Sequence, residues 1–150
     1  MHNPLPAEVR RLGMWCHLAG LSWLTFFIFP VPYLWLLAPY LVWKLNREVH
    51  PFVDEQGKEA LSFQVSMAVY LTASLLIAVF LLLVTCGVVI GTFTAQSPVA
   101  SNAMMGLNIV LGIGFVVVLL ITPTLLVIRA ARKALNGEIY RYPMNLRFFG

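Results

Sequence analysis

The sequence predicts an all-α, polytopic membrane protein whose four transmembrane helices form two hairpins joined by an interfacial amphipathic segment. Three observations lead there. Apolar residues make up 60% of the 150-residue chain and charged residues only 11%, whereas soluble domains hold about half and about a quarter. Residues 12–43 and 61–94 form long uncharged runs, and a third covers 104–128. Each is long enough to cross a hydrocarbon layer that needs ~20 apolar residues. The ten Lys and Arg all lie outside these runs. The length suits a single membrane domain, with spans at about 12–29, 33–46, 60–93 and 104–128, a link at 47–59 and a tail at 129–150.

The N-terminal arm carries Pro4, Pro6 and the pair Arg10 and Arg11. Arginines before an apolar run imitate a signal peptide, but no small-residue cleavage site closes the run, so an uncleaved first span is expected. That run is too long for one span. Pro30, Pro32 and Pro39 interrupt it, and Pro-Val-Pro makes a natural hairpin tip because proline lacks an amide hydrogen and clashes with the preceding turn. The second helix should begin at Tyr33 and kink near Pro39. It would be roughly 21 Å long, so it crosses only with local thinning and snorkelling of Lys44, or returns without crossing as a re-entrant hairpin.

Residues 50–64, HPFVDEQGKEALSFQ, are the one strongly polar patch between two apolar regions. Pro51 should start a new element. Asp54 should cap it, Glu55 and Glu59 should sit near its positive end, and Lys58 should reach Glu55. Gly57 weakens the turn. The following span carries Gln64, Ser66, Tyr70, Thr72 and Ser74 near its start. Gly87 and Gly91 form a Gly-x-x-x-Gly pair of the kind that lets helices approach in lipid, and Gly112 and Gly114 with Asn108 offer a comparable surface on the last span. Residues 94–102 read as an uncharged loop containing Pro98. Pro123 should kink the last span. Arg129, Arg132 and Lys133 should stop it, and Asn136-Gly137 is a good helix C-terminus, glycine accepting positive φ.

With four crossings all ten basic residues fall on one face. The positive-inside rule then puts both termini in the cytoplasm, in what would be a bacterial inner membrane. The net charge of +4 is explained by orientation, and no aromatic-basic interleaving points to nucleic acid.

Catalytic chemistry finds little support. The spans hold no acidic or basic residue of the kind that proton relays and ion-coupled transporters use. His17 is the one ionisable ring within a span and reads as a hydrogen-bond partner between helices. Cys16 and Cys86 show no metal or redox spacing. No phosphate loop, nucleophile elbow or His-Glu-x-x-His is present. No cofactor, no metal and no catalytic residue is therefore expected. The acids of the link read as a solvated helix start, with Arg141-Tyr142-Pro143 docking against them. The expected partners are the lipid bilayer and other membrane helices, or a second copy.

Residues 50–64, with PYLWLLAPYLVWKL before them and AARKALNGEIYRYP after, resemble a prokaryotic family of four-helix membrane proteins of undefined function. That family is similar to the chloroplast inner-envelope import channel subunit, the twenty-kilodalton Tic component. The resemblance covers about residues 15–147. It implies four spans and a role in protein transport, as the alternative to an accessory subunit. It marks Pro51, Phe52, Asp54, Glu55, Gly57, Lys58, Glu59, Ala60, Gln64, Gly137, Tyr140, Tyr142 and Pro143 as signature positions.

Overall fold

The computed structural model describes residues 5–94, 98–146 and 148; the side chains of residues 27, 92–94, 98, 100 and 101 are outside that set. The described residues are mostly helical, without strands. In chain order there are an α-helix α1 (Ala7–Leu18), a 3-10 stretch (Ala19–Phe27), a 3-10 turn (Leu34–Leu36), α2 (Leu37–Asn46), α3 (Pro51–Thr94) and α4 (Pro98–Leu135). Two of them, α3 and α4, are long and apolar enough to cross a membrane.

The chain divides into two compact units, Met1–Ala68 with Pro123–Gly150, and Val69–Thr122. Every Lys, Arg, Asp and Glu of the sequence falls in the first unit and none in the second.

In the first unit, α1, the 3-10 segments and α2 make a hairpin. Its turn coincides with the Pro-Val-Pro tip, and Tyr33 takes a left-handed φ of 60° there. The first limb departs from the expected α-helix. It begins at Ala7 and tightens at Ala19 into nine residues of 3-10 helix, longer than such runs usually extend. Side chains take up carbonyls in this stretch, one from another helix and one local: Gln64 Nε2 of α3 donates to Gly20 O at 2.9 Å, and Thr25 Oγ1 to Ser22 O three residues back at 2.6 Å.

The second limb starts its α-helix at Leu37, not Tyr33. Pro39 therefore sits in the first turn, where a missing N–H is tolerated. It leaves the Trp35 carbonyl, four residues back, without the donor a helix would supply, and Ser22 Oγ donates to that carbonyl from the other limb at 2.6 Å.

The link proves to be the first turns of α3, which runs without a break to Thr94. Two apolar clusters hold the unit. Val9, Cys16, Phe52, Val53 and Ala134 form one; Phe63, Val127, Ala130 and Tyr142 form the other. The buried positions of α1 (9, 13, 16 and 17) and of α4 (123, 127, 130, 131 and 134) each follow helical spacing on one face.

α4 begins with Pro98 at its first position, where proline is well placed. The expected loop at 94–102 is thus shorter; residues 95–97 lie outside the described set. α4 also runs seven residues past the expected end at 128. It closes on the predicted Gly137, whose φ is +81°. Gly137 N–H donates to Ala134 O at 2.9 Å and Glu138 N–H to Lys133 O at 3.0 Å, the Schellman arrangement. The Arg10 stem packs there, its Cδ 3.5 Å from where a Gly137 Cβ would sit.

In the second unit, Asn108 Nδ2 donates to Thr85 Oγ1 at 2.7 Å and to Met104 O at 2.9 Å. A half-open cavity of about 400 Å³ lies beside this pair, lined by Ser74, Ile77, Ala78, Leu81, Asn108, Leu111, Gly112 and Phe115. The apolar side chains here are largely exposed, Phe80 at 64% and Val110 at 67% among them.

Candidate functional site, a polar latch between α3 and the C-terminal tail

The first turns of α3 are set by His50. Its carbonyl accepts Val53 N–H at 2.9 Å and Asp54 N–H at 3.2 Å, and its Nδ1 accepts Phe52 N–H at 3.0 Å. His50 is therefore the N-cap and Pro51 the first helical residue, which corrects the assignment of the cap to Asp54. Asp54 lies one turn in and accepts Trp43 Nε1–H at 2.8 Å. Its other oxygen pairs with Lys58 at 2.7 Å. Lys58 thus chooses the residue four back over Glu55, which stays exposed.

Although burial alone would raise it, the Asp54 carboxyl is drawn below its ordinary pKa by hydrogen bonds from Lys58 and Trp43, reinforced by the charges of Lys58 and Arg47. Gly57 has a definite task. A Cβ there would lie 2.8 Å from Trp43 Cγ and 2.9 Å from Trp43 Cβ. Only a bare backbone lets the indole cross α3 to reach Asp54.

One face of α3 carries Val53, Gln56, Ala60 and Phe63, all buried. Gln56 is the polar residue on that stripe, and it meets His17 of α1. Both side chains are fully buried. His17 Nε2 lies 2.5 Å from Gln56 Oε1, and Nδ1 lies 3.0 Å from the Tyr142 hydroxyl. An amide oxygen only accepts, so Nε2 carries the hydrogen and Nδ1 accepts from Tyr142 O–H. Gln56 Nε2 then donates to Glu138 O at 3.2 Å. Tyr142 stacks on Phe63 with ring centroids 3.9 Å apart and 8° between planes, and Tyr140 meets it edge-on at 5.1 Å. Burial, then the charges of Tyr140 and Glu59, push the Tyr142 hydroxyl well above its ordinary pKa.

The tail is held further along α3. Glu59 Oε1 accepts Tyr142 N–H at 2.8 Å. Ser66 Oγ accepts Leu146 N–H at 2.9 Å, and Ser62 Oγ accepts Phe148 N–H at 2.8 Å while donating to Asn145 Oδ1 at 2.7 Å. Polar side chains of α3 thus satisfy main-chain groups of a tail that forms no regular structure.

Docking of the tail on the link is as expected, but its means is not. The ion pairs among the described residues are Arg47–Glu48, Lys58–Asp54 and Lys133–Glu138. None joins the acids of the link to Arg129, Arg132, Lys133 or Arg141. Of the signature positions, Phe52, Gly57, Ala60, Gln64 and Tyr142 are buried, Asp54, Lys58, Glu59, Gly137 and Tyr140 are half-buried, and Pro51, Glu55 and Pro143 are exposed. Gln64 is tied to Gly20, where a Cβ would strike the Gln64 amide. His17 takes the hydrogen-bonding role between helices expected of it and Ser66 belongs to the polar side expected at the start of the span, whereas Gln56, Ser62, Trp43 and Asn145 complete the latch and were not among the sites expected. A polar residue on an apolar helical stripe, as at Gln56 and Ser66, is the signal that marks them.

The glycines proposed for packing stand apart. Nothing lies within 4 Å of where a Cβ would sit at Gly87, Gly91, Gly112 or Gly114. Close backbone approach within the chain occurs instead at Gly13, against Phe52, and at Gly20 and Gly57. Cys16 and Cys86 are not joined to each other. No group of three or more His, Cys, Asp or Glu able to hold a metal occurs among the described residues.

No curated protein and no solved structure matches the chain, so the likeness to the chloroplast import channel subunit is not shown. A family model does match, over residues 8–149. With two long apolar helices, an all-helical fold and a match over nearly its whole length, the chain belongs to the MamF/MmsF magnetosome magnetite crystal formation protein family.

Proposed function

We propose that this protein is a non-catalytic membrane component, an accessory or assembly subunit of the membrane within which its family's mineral forms. One observation carries the reading: all charge belongs to the first unit, while the second is uncharged and presents apolar side chains outward. Such a surface is stable only against lipid or other apolar helices. The polar groups of the first unit are largely engaged with one another in the latch, and its carboxylates serve different partners, which favours a structural over an acid-base role. The family's name supports crystal formation as the process. The chain would act on it through the membrane and its partners.

In the finer arrangement we infer, α3 and α4 cross the bilayer and the first hairpin enters and leaves from the face that holds both termini, the cytoplasmic one. The apolar tip carries Ile28 and Phe29, exposed at 72% and 63%, and suits insertion. Single cysteines at Val31 and Ser97, in a chain lacking Cys16 and Cys86, test this; Ser97 lies outside the described residues. Labelling of both by an impermeant reagent from outside supports four crossings, Ser97 alone supports a re-entrant hairpin, and neither overturns the orientation. The accessory role is tested by cross-linking and copurification from native mineral-forming membranes. A stable membrane partner is expected, together with altered crystals when the chain is deleted; unaltered crystals and no partner sink the reading.

A further inference from the structure

We propose that the outward face of α4 at Arg129 and Arg132 binds the phosphate groups of anionic phospholipids. This rests on reading α4 as a membrane helix and adds the lipid class it selects. The starting point is which cations the protein leaves without an acid. Three ion pairs engage Arg47, Lys58 and Lys133. Of the nine described Lys and Arg, nine less three leaves six. Against them stand only Glu8 and Glu55, because Glu59 is held by the tail. Neither Glu8 nor Glu55 is on α4, which contains no acidic residue.

The geometry of α4 selects two of the six. Its inward face is Val127, Ala130, Ala131 and Ala134, all buried. On the outward face Leu125 is 57% exposed, and Arg129 and Arg132, also exposed, follow four and seven residues later. Those spacings keep the three on one side of the helix. Leu125 and Arg132 are separated by roughly 10 Å along the axis, so one face passes from an apolar side chain to two guanidinium groups within two turns. A guanidinium presents a planar fork that engages two phosphate oxygens together, on a stem that lies along apolar surface. A free phosphate would satisfy the forks equally. The exposed leucine beneath them favours a phosphate that carries acyl chains.

The test uses the full chain in vesicles of phosphatidylcholine mixed equally with phosphatidylglycerol, counting the lipids retained per chain through purification by native mass spectrometry. Wild type should retain phosphatidylglycerol in preference. Arg129→Gln with Arg132→Gln should lower that preference by roughly five-fold for each arginine. Arg11→Gln with Lys44→Gln removes the same charge elsewhere and should leave it largely intact. No preference in wild type, or an equal fall in both double variants, overturns the site. Displacement of the lipid by inorganic phosphate would assign it to a soluble anion instead. Alkaline extraction of wild type separates the layers of the argument: release from the bilayer defeats the membrane reading itself, whereas retention without lipid preference defeats only the site.

Discussion

Glu59 and Tyr142 meet through the main chain: a carboxylate oxygen of α3 accepts the tail's N–H at 2.8 Å while the Tyr142 ring is buried against Phe63. The contact needs an acceptor, not a charge pair. Glu59→Ala should cost about 1–3 kcal/mol, the penalty for stranding a buried amide. Glu59→Gln keeps an acceptor oxygen and should recover most of it. Reversing Arg141 should change little, since exposed ion pairs contribute only ~0–1 kcal/mol. Thermal unfolding in detergent measures all three. Equal losses for Gln and Ala would mean that the charge itself matters.

The Tyr142 hydroxyl gives the latch a limit at alkaline pH. Its folded pKa is raised by burial, so the folded state favours the neutral phenol. Stability from this group is full below the unfolded tyrosine value of about 10 and falls as pH rises beyond it. Tyr142→Phe should remove this group's share of the alkaline decline. It should also cost about 1–3 kcal/mol at neutral pH, because Nδ1 of His17 loses its donor. Unfolding followed from pH 8 to 11 checks both effects.

Two glycines separate close approach from open surface. Gly57→Ala drives a methyl group into the root of the Trp43 side chain, which cannot swing aside as a flexible chain end could. A loss of about 1–3 kcal/mol is expected, with a quenched or shifted indole emission. Gly87→Ala meets nothing within 4 Å and should be neutral or slightly stabilising, as alanine favours helix. A partner helix packed at Gly87 would instead appear as loss of a complex in membranes without loss of chain stability.

These contrasts show what the sequence made legible. The two later apolar runs, which form long apolar helices, the Pro-Val-Pro tip and the Asn136-Gly137 terminus are local signals, each dictated by a few neighbouring residues, and they read correctly, whereas the first run was expected to be two plain α-helices and is not. Docking of the tail on α3 was legible as a meeting of polar segments. Its chemistry was not, because Glu59 serves a main-chain amide and Gln56 serves a histidine 39 residues earlier. Local charge counting finds neither. The cap at His50 was hidden for a related reason: Asp54 is the commoner capping residue, but Pro51 already fixed the first helical position. Gly57 read as a weakness because the indole that needs it lies on another helix.

Asp54 makes the α2–α3 junction sensitive to acid. Its folded pKa lies below the ordinary carboxylate value, so its contribution is present above the unfolded value of about 4 and is lost as pH falls through the folded one. Stability should therefore decline below about pH 4, with a change in Trp43 emission as the oxygen that accepts its indole N–H loses its charge. Asp54→Asn keeps an acceptor for Trp43 but gives up the Lys58 pair, and should flatten this part of the acid limb. An unchanged acid profile in that variant would assign the limb to other carboxylates.

Ser22 and Pro39 form a compensating pair in the first hairpin. Proline cannot donate to the Trp35 carbonyl, and the Ser22 hydroxyl does so from the opposite limb at 2.6 Å. Ser22→Ala should therefore leave that carbonyl without a donor in an apolar setting and cost about 1–3 kcal/mol. Pro39→Ala restores a backbone N–H four residues after Trp35, so in that background Ser22→Ala should cost much less. The double-mutant cycle should give a coupling of about 0.5–3 kcal/mol between two residues linked through the Trp35 carbonyl. The same chemistry predicts where the hairpin opens. With Ser22→Ala alone, amide exchange should rise at residues 34–37 ahead of the latch residues of α3. Additive effects in the cycle would show that the serine bond is incidental, and that the limbs are held by apolar contact alone.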